Sequence, residues 1–226
     1  MASDKIGFRI LPPPSRLPAA LVDQFRAMAS PNLADAMGRF NFMDGIVSRS
    51  GVRLCGPALT VNCRPADNLM VHKALQLAER GDVVVVATGG NTVSAVFGGL
   101  MAEAASAKGI GGIVVDGALR DVEDLTRLRF PAFSRSVCPG GCDKDGPGEI
   151  NVPIAIAGMV IEPGDLIVGD GDGIVSVPYD LAEEVLTATE AKHQSEIKQL
   201  AAIREGKSDR TWVDAALTGR GLRIDA

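Results

Sequence analysis

An arginine and an aspartate stand side by side at positions 120 and 121, after the run Gly112-Ile113-Val114-Val115. Asp121 offers the hard oxygen ligands that Mg²⁺ or Mn²⁺ prefers, and Arg120 offers a planar fork of N–H donors that fits a carboxylate. Together they suit a chelated anionic substrate. Charged pairs are also common at helix N-termini as ordinary surface ion pairs, so the dipeptide alone leaves both interpretations open.

A second candidate is Gly98-Gly99-Leu100-Met101, at the start of a segment of small and apolar residues that predicts a helix. The free N–H groups and the positive dipole end of such a helix bind a carboxylate or a phosphate. Glycine pairs also occur wherever one backbone must approach another closely. The four residues therefore predict either an anion site or a close packing contact.

Two buried strands must position these residues. Val83-Val84-Val85-Val86 is a β-branched run without alternation, which is typical of a strand covered on both faces. Residues 112–115 predict a second such strand, which delivers Asp116 to Asp121 at its C-terminal end. Ligands of α/β sheets usually bind at that end.

The remaining segments complete an α/β or α+β pattern without internal repeats. Ser30-Pro31 predicts a helix start with Ser30 as the cap, and residues 132–178 predict short strands separated by turns. Asp170-Gly171-Asp172-Gly173 lacks the other ligands of a calcium loop and predicts a hairpin turn. Residues 180–205 predict one long polar helix. We expect a single domain over residues 1–226, with a core at about 28–180 and a helical extension at 181–226.

Composition excludes several classes of function. The formal charge is -5, with 23 Lys and Arg scattered among 28 Asp and Glu, so nucleic acid is a poor partner. No apolar run approaches the roughly 20 residues that a membrane span needs, and Pro12, Pro13 and Pro14 interrupt any secretory signal. We therefore expect a cytoplasmic protein that binds neither nucleic acid nor membrane.

The cysteines and histidines offer less chemistry. Four cysteines in a chain of 226 residues do not make a disulfide framework, and we expect structural thiols. Cys138 and Cys142 lack the further ligands of a zinc site. His72, within a predicted amphipathic helix, is more typical of a packed or capping residue than of a general base.

The run from Asp67 to Pro178 resembles the family of the regulator of ribonuclease activity A and the related 4-hydroxy-4-methyl-2-oxoglutarate aldolases. Its most specific part is a class II pyruvate aldolase pattern: a glycine, twenty residues, Arg-Asp, two residues and an acid. Gly99, Arg120, Asp121 and Asp124 fill every position of this pattern. Residues 146–153 and 163–178 also look like the family's β-rich half.

The resemblance implies an α/β fold of the β/β/α swivelling type, with a central sheet flanked by helices, assembled as a homotrimer or homohexamer with sites between subunits. It implies that Asp121, with Asp124, binds Mg²⁺ or Mn²⁺, and that Arg120 contacts a small 2-oxo acid substrate. The amides of Gly98, Gly99, Leu100 and Met101 would hold the substrate carboxylate.

The implied reaction is metal-dependent retro-aldol cleavage of a 4-hydroxy-2-oxo diacid, either 4-hydroxy-4-methyl-2-oxoglutarate or 4-carboxy-4-hydroxy-2-oxoadipate, with decarboxylation of oxaloacetate by the same enolate. Aldolases of the family carry an acid on a C-terminal extension that reaches a neighbouring subunit, and Glu196 is the expected counterpart. A surface glutamate is the alternative at that position. Alternative functions are a non-catalytic regulator that binds a ribonuclease, and an enzyme for another 2-oxo or 2-hydroxy acid.

Overall fold

The protein is described by a computed structural model, which covers residues 5–223. The chain divides into two compact units, and the boundary between them lies between Thr189 and Glu190. The first unit contains the sheets and the predicted Arg120-Asp121 site. The second contains the end of a long helix and one shorter helix.

Eleven strands lie within the described residues. They are β1 (Phe8–Ile10), β2 (Val47–Ser48), β3 (Leu54–Cys63), β4 (Val83–Phe97), β5 (Gly112–Leu119), β6 (Ala132–Val137), β7 (Gly148–Ile150), β8 (Ile154–Ile156), β9 (Met159–Ile161), β10 (Leu166–Gly169) and β11 (Ile174–Val177).

Seven α-helices accompany these strands in residues 5–223. They are α1 (Ala19–Phe25), α2 (Ser30–Ala36), α3 (Leu69–Leu77), α4 (Gly99–Lys108), α5 (Val122–Arg127), α6 (Ala182–Arg204) and α7 (Thr211–Gly219), and one 3-10 turn (Tyr179–Leu181) precedes α6.

The main sheet has the order β1-β7-β3-β4-β5-β6-β2. In addition, β10 pairs with β3, and β11 pairs with β10. Strands β3, β4, β5 and β6 run parallel to one another, so their carboxyl ends meet at one edge. As predicted, Val83 to Val86 are fully buried in β4. All eight residues of β5 are buried as well. This edge carries the predicted site residues.

The sheet is covered on both faces. Helices α3, α4 and α5 pack on one face through a cluster that includes Val71, Ala102 and Leu125. The opposite face packs against the β8–β9 hairpin and β10 through Ile156, Ile161 and Ile167. This arrangement of helices, sheet and further strands confirms the predicted α/β fold with a central sheet.

Several local predictions are confirmed and others are wrong. The Asp170-to-Gly173 segment is the predicted hairpin turn between β10 and β11. Ser30 does not cap α2, because Ala29 occupies that position and Ser30 is the first helical residue. Strand β4 also continues past Gly89-Gly90 to Phe97, with register shifts against β5 that the sequence did not indicate.

Candidate active site

The strand β5 places Arg120 and Asp121 at the carboxyl edge of the sheet. Leu119, the last residue of β5, pairs with Phe97 of β4 and with Val137 of β6. The Arg120 N–H then donates to the Phe97 carbonyl at 3.0 Å. The backbone of Arg120 is thereby fixed to the strand that leads into α4.

Asp121 turns the chain into α5. Its backbone is left-handed, with φ 58° and ψ 42°, and it occupies the N-cap position of α5. Asp is one of the few residues besides glycine that adopt this conformation readily. The turn leaves the Asp121 side chain 43% exposed, beside an Arg120 side chain that is 47% exposed. Both charged groups are therefore accessible to a small molecule.

The carboxylate of Asp121 is held by the start of α4. The Gly99 N–H donates to Asp121 Oδ2 at 2.9 Å. A Cβ placed on Gly98 would lie 2.5 Å from the same Oδ2 and 3.2 Å from Arg120 Nε. The glycines thus form the predicted close packing contact, since only glycine lets the helix start approach Asp121 and Arg120 so closely.

Asp124 packs over the same glycine. A Cβ on Gly99 would lie 2.8 Å from Asp124 Oδ2 and 3.4 Å from Asp121 Cβ, so the two carboxylate side chains are neighbours. The other oxygen of Asp124 accepts from Arg127 Nη2 at 2.8 Å, and Arg127 lies 3.6 Å from Glu103 of α4. Asp124 is therefore already part of an exposed ion-pair network between α4 and α5.

The carboxylates of Asp121 and Asp124 fit a magnesium or manganese ion. Among residues 5–223 no group of three or more His, Cys, Asp or Glu side chains is arranged to hold a metal. Mg²⁺ does not need such a group, because it keeps several waters and is usually bound by one or two carboxylates together with the substrate. Asp121, half exposed and oriented by Gly99, meets that requirement, and Asp124 lies beside it.

The first turn of α4 is open to solvent. Leu100 is 89% exposed and Met101 is partly buried. The first N–H groups of a helix lack intrahelical acceptors; that of Gly99 donates to Asp121, and those of Leu100 and Met101 are available to an anion. Gly98 and Gly99 thus lie directly beside Arg120 and Asp121, and Leu100 and Met101 follow in the same helical turn; carboxylate binding by these four residues stays a prediction.

Sequence reasoning missed the residues that surround this cluster. Asn68 donates to the Val96 carbonyl at 3.0 Å, and its Oδ1 is buried with no hydrogen-bond partner in the part of the chain that the structure describes. Gly141 lies against the guanidinium, since a Cβ there would be 3.3 Å from Arg120 Nη1. These contacts join segments far apart in sequence, so no local pattern indicated them.

Two further residues that the sequence singled out are His72 and Glu196. His72 lies on α3, where burial and the nearby Lys144 lower its pKa, and a neutral, partly packed imidazole agrees with the sequence-based interpretation. Glu196 lies on α6 in the second unit and pairs with Lys192 at 3.4 Å. Its predicted role in a neighbouring subunit's site stays a prediction.

Comparison with known proteins identifies the family. The profile described as RraA-like, Aldolase/RraA, matches residues 30–176. A protein of Halalkalibacterium halodurans, provisionally named a 4-hydroxy-4-methyl-2-oxoglutarate aldolase, is 36% identical over 186 residues, which are 81% of this chain and 89% of that protein. This chain, an α/β protein with an Arg-Asp pair at the carboxyl edge of its sheet, is thus similar in sequence to proteins that carry an aldolase name. The chain belongs to the RraA-like family.

Solved structures agree with this assignment. An uncharacterized protein from Pseudomonas syringae superimposes with a TM-score of 0.77 at 31% identity, covering 85% of this chain and 96% of that one. The RNA-processing inhibitor RraA from Thermus thermophilis gives a TM-score of 0.62 at 31% identity, covering 66% of this chain and 92% of that one. The family therefore includes proteins named for an enzymatic role and proteins named for a regulatory role.

Within residues 5–223, no helix is long and apolar enough to cross a membrane.

Proposed function

We propose that the protein is a divalent-metal-dependent carbon–carbon lyase. Its substrate is a 4-hydroxy-2-oxo diacid, either 4-hydroxy-4-methyl-2-oxoglutarate or 4-carboxy-4-hydroxy-2-oxoadipate, which it cleaves to pyruvate and a second 2-oxo acid. Oxaloacetate is decarboxylated at the same site. The observation that carries the proposal is the Asp121 carboxylate, oriented by Gly99 N–H beside the exposed Arg120 guanidinium.

The chain's own groups account for binding. The substrate's 2-oxo acid end enters against the first turn of α4, between Gly98 and Met101, where the amides of Leu100 and Met101 donate to its carboxylate while the Gly99 amide holds Asp121. Arg120, beside Gly98, donates to the keto oxygen. A guanidinium is suited to this position because it stays charged and its donors are fixed in one plane. Gly98 and Gly99 carry no side chains, which leaves room for that end of the substrate.

The bond that breaks joins the third and fourth carbons. A base or a bound water takes the proton of the 4-hydroxyl group, the new carbonyl leaves as a 2-oxo acid, and the electron pair of the broken bond forms pyruvate enolate. Negative charge grows on the keto oxygen, where Arg120 stabilises it in the transition state more than in the ground state. Protonation of the third carbon then yields pyruvate.

Asp121 would hold the metal, with Asp124 beside it. Mg²⁺ or Mn²⁺, when bound there, supplies Lewis-acid stabilisation of the developing oxyanion. The Gly99 hydrogen bond positions Asp121 Oδ2 for this task. Arg127 occupies Asp124 Oδ1, so Asp124 would offer the ion its Oδ2, the oxygen on the Gly99 side.

We propose further that the chain assembles as a homotrimer or a homohexamer in the cytoplasm and that Glu196 reaches a neighbouring subunit's site. The nearly complete exposure of Leu100, at the edge of the substrate site, supports a covering subunit. Light scattering at several protein concentrations tests the assembly. A monomer at all concentrations would exclude it.

The central experiment measures pyruvate release from oxaloacetate and from 4-hydroxy-4-methyl-2-oxoglutarate. Each substrate is assayed with Mg²⁺, with a chelator, and with Asp121→Asn. Glu123→Gln is the matched control, because Glu123 is an exposed acid in the same helical turn. We expect release that needs the metal and Asp121 but not Glu123. Absence of release with any metal would refute the lyase proposal.

The second candidate is a regulator that binds a ribonuclease without turnover. The likeness to the RNA-processing inhibitor RraA supports it. Retention of the exposed Arg120-Asp121 pair and its glycine contacts favours catalysis. Inhibition of a purified endoribonuclease by the wild type and by Asp121→Asn alike would favour the regulator. A panel of other 2-oxo and 2-hydroxy acids tests the remaining alternative.

A further inference from the structure

Two of the four cysteines lie beside the candidate site and have no role in the proposed reaction. Cys138 and Cys142 follow β6, are joined by Pro139-Gly140-Gly141, and are both partly exposed. Cys55 and Cys63 are buried in β3, where burial raises the pKa of Cys55 to about 11 and that of Cys63 to about 12. Since the thiolate is the reactive form, only the Cys138/Cys142 pair is available for chemistry.

Both sulfur atoms of the pair lie along one side of β4. Cys138 Sγ donates to the Val93 carbonyl at 3.1 Å, and Cys142 Sγ donates to the Ala95 carbonyl at 3.1 Å. Residues two apart on a strand face the same way and lie about 7 Å apart. The sulfurs are thus close enough to be joined if the linking segment bends, and its two glycines allow such a bend.

The two thiols differ in their surroundings. The Gly140 N–H donates to Cys138 Sγ at 3.3 Å, which fixes this sulfur against the linking segment. Burial, followed by the nearby Asp67, raises the pKa of Cys142. A thiol with a raised pKa supplies less thiolate, so Cys142 is suited to the second, resolving step and the first step is assigned to Cys138.

The same segment supports Arg120. The Cys138 N–H donates to the Leu119 carbonyl at 2.9 Å, directly before Arg120. Gly141 packs against Arg120 Nη1, and the Gly140 carbonyl accepts from the Ala95 N–H at 2.8 Å. Any bend that joins the two sulfurs must move Gly140 and Gly141, and it therefore changes the support of the guanidinium.

We propose that Cys138 and Cys142 are a redox modification site, at which a reversible disulfide displaces Gly141 from Arg120 and lowers the activity of the site. The disulfide itself is independent of the lyase proposal. Its effect on catalysis rests on that proposed function.

The oxidant is a low-molecular-weight disulfide such as oxidised glutathione. The Cys138 thiolate attacks one of its sulfurs, which forms a mixed disulfide and releases one glutathione thiolate. Cys142 then gives its proton to solvent and attacks the Cys138 sulfur, which releases the second glutathione thiolate. One disulfide bond breaks in the oxidant and one forms in the protein, so two electrons pass from the protein to glutathione.

Mass spectrometry tests the disulfide directly. The full-length protein is incubated with oxidised glutathione, alkylated with iodoacetamide under denaturing conditions, and digested with trypsin. We expect the peptide Ser136–Lys144 to be unalkylated and lighter by two hydrogen atoms than the reduced peptide. The peptide carrying Cys55 and Cys63 should be alkylated twice and serves as the internal control. Alkylation of both Cys138 and Cys142 at every glutathione ratio would overturn the proposal.

Single variants test the order of the steps. Cys142→Ser should accumulate a glutathione adduct on Cys138, whereas Cys138→Ser should remain unmodified at Cys142. In the active enzyme we expect oxidation to lower kcat/KM for pyruvate release about tenfold to a hundredfold, as for a small misplacement of a catalytic group, with recovery in dithiothreitol. Cys138→Ser should keep its activity in the oxidant. A disulfide that forms without any loss of activity would overturn the proposed switch while leaving the lyase proposal intact.

Discussion

The N–H of Gly99 and Oδ2 of Asp121 are joined by a 2.9 Å hydrogen bond that ties the start of α4 to the start of α5. A carboxylate has about four acceptor positions, so this bond orients Asp121 and leaves capacity for other ligands. Because the Asp121 carboxylate would otherwise rotate freely at 43% exposure, the contact explains how an open site can hold a defined geometry.

Gly98→Ala should impair the site without unfolding the protein. The new Cβ would lie 2.5 Å from Asp121 Oδ2 and 3.0 Å from Arg120 Cγ, so both side chains must move. We expect kcat/KM for pyruvate release to fall about a hundredfold, as for a displacement of catalytic groups of about 1 Å. Gly171→Ala is the control, because a Cβ there meets no atom within 4 Å. Equal activity in both variants would contradict the predicted crowding.

Asp121→Asn should remove metal binding and activity together. The amide preserves the shape and tolerates the left-handed backbone, but it lacks the charge that a hard cation requires. We expect calorimetric titration with Mn²⁺ to show at least a tenfold weaker association and kcat to fall about a hundredfold or more.

Glu123→Gln is the control for that titration, since it removes one charge from the same helix start. It should keep Mn²⁺ affinity within about twofold, given that exposed charges interact weakly through water. An Asp121→Asn variant that binds Mn²⁺ as well as the wild type would place the ion elsewhere.

Arg120→Lys should lower kcat more than it raises KM. Lysine keeps the charge but loses the planar donor fork beside Gly98 and Gly141. Because the lost interaction is strongest with the developing oxyanion, we expect kcat to fall about tenfold to a hundredfold. Steady-state kinetics with oxaloacetate measure the split. A change confined to KM would show that Arg120 contributes only ground-state binding.

Asp170→Asn should destabilise the protein at neutral pH but much less in acid. Burial opposes ionisation of Asp170, but hydrogen bonds from the Ser30 N–H and hydroxyl outweigh it and hold its pKa below the ordinary 3.8. A carboxylate with a lowered folded pKa stabilises the protein above its unfolded pKa, and this is lost as the pH falls through the folded value.

We therefore expect the Tm difference between wild type and Asp170→Asn to be largest near pH 7, for a loss of about 1–3 kcal/mol, and to shrink below about pH 4. Thermal melts from pH 7 to pH 3 measure it. Asp172→Asn, exposed in the same turn, is the control. A Tm difference that stays constant across this range would refute the assigned role of the Asp170 charge.

The sequence predicted the parts of the fold that local chemistry determines. The β-branched run at Val83 to Val86 and the turn at Asp170 to Gly173 carry their own signals, and the structure confirms both. The Arg120-Asp121 pair also lies at the C-terminal end of a buried strand, as predicted, because β5 ends at Leu119.

Features set by distant contacts could not be predicted in this way. Ser30 looks like a cap, yet Asp170, from a hairpin 140 residues away, accepts its N–H and its hydroxyl hydrogen. The path of β4 beyond Gly90 depends on its pairing with β5, and the support of Arg120 by Gly141 depends on β6. Neighbouring residues in the chain carry no signal of such pairings.

The left-handed backbone of Asp121 also limits how this position can change during evolution. Few residues other than Asp, Asn and Gly adopt φ near 58° at low cost. A relative that does not use the proposed metal chemistry can therefore lose this charge at least conformational cost through Asn or Gly, which preserve the turn into α5. An Arg-Asn or Arg-Gly pair at the end of this strand is thus expected in family members that keep the fold without the proposed lyase activity.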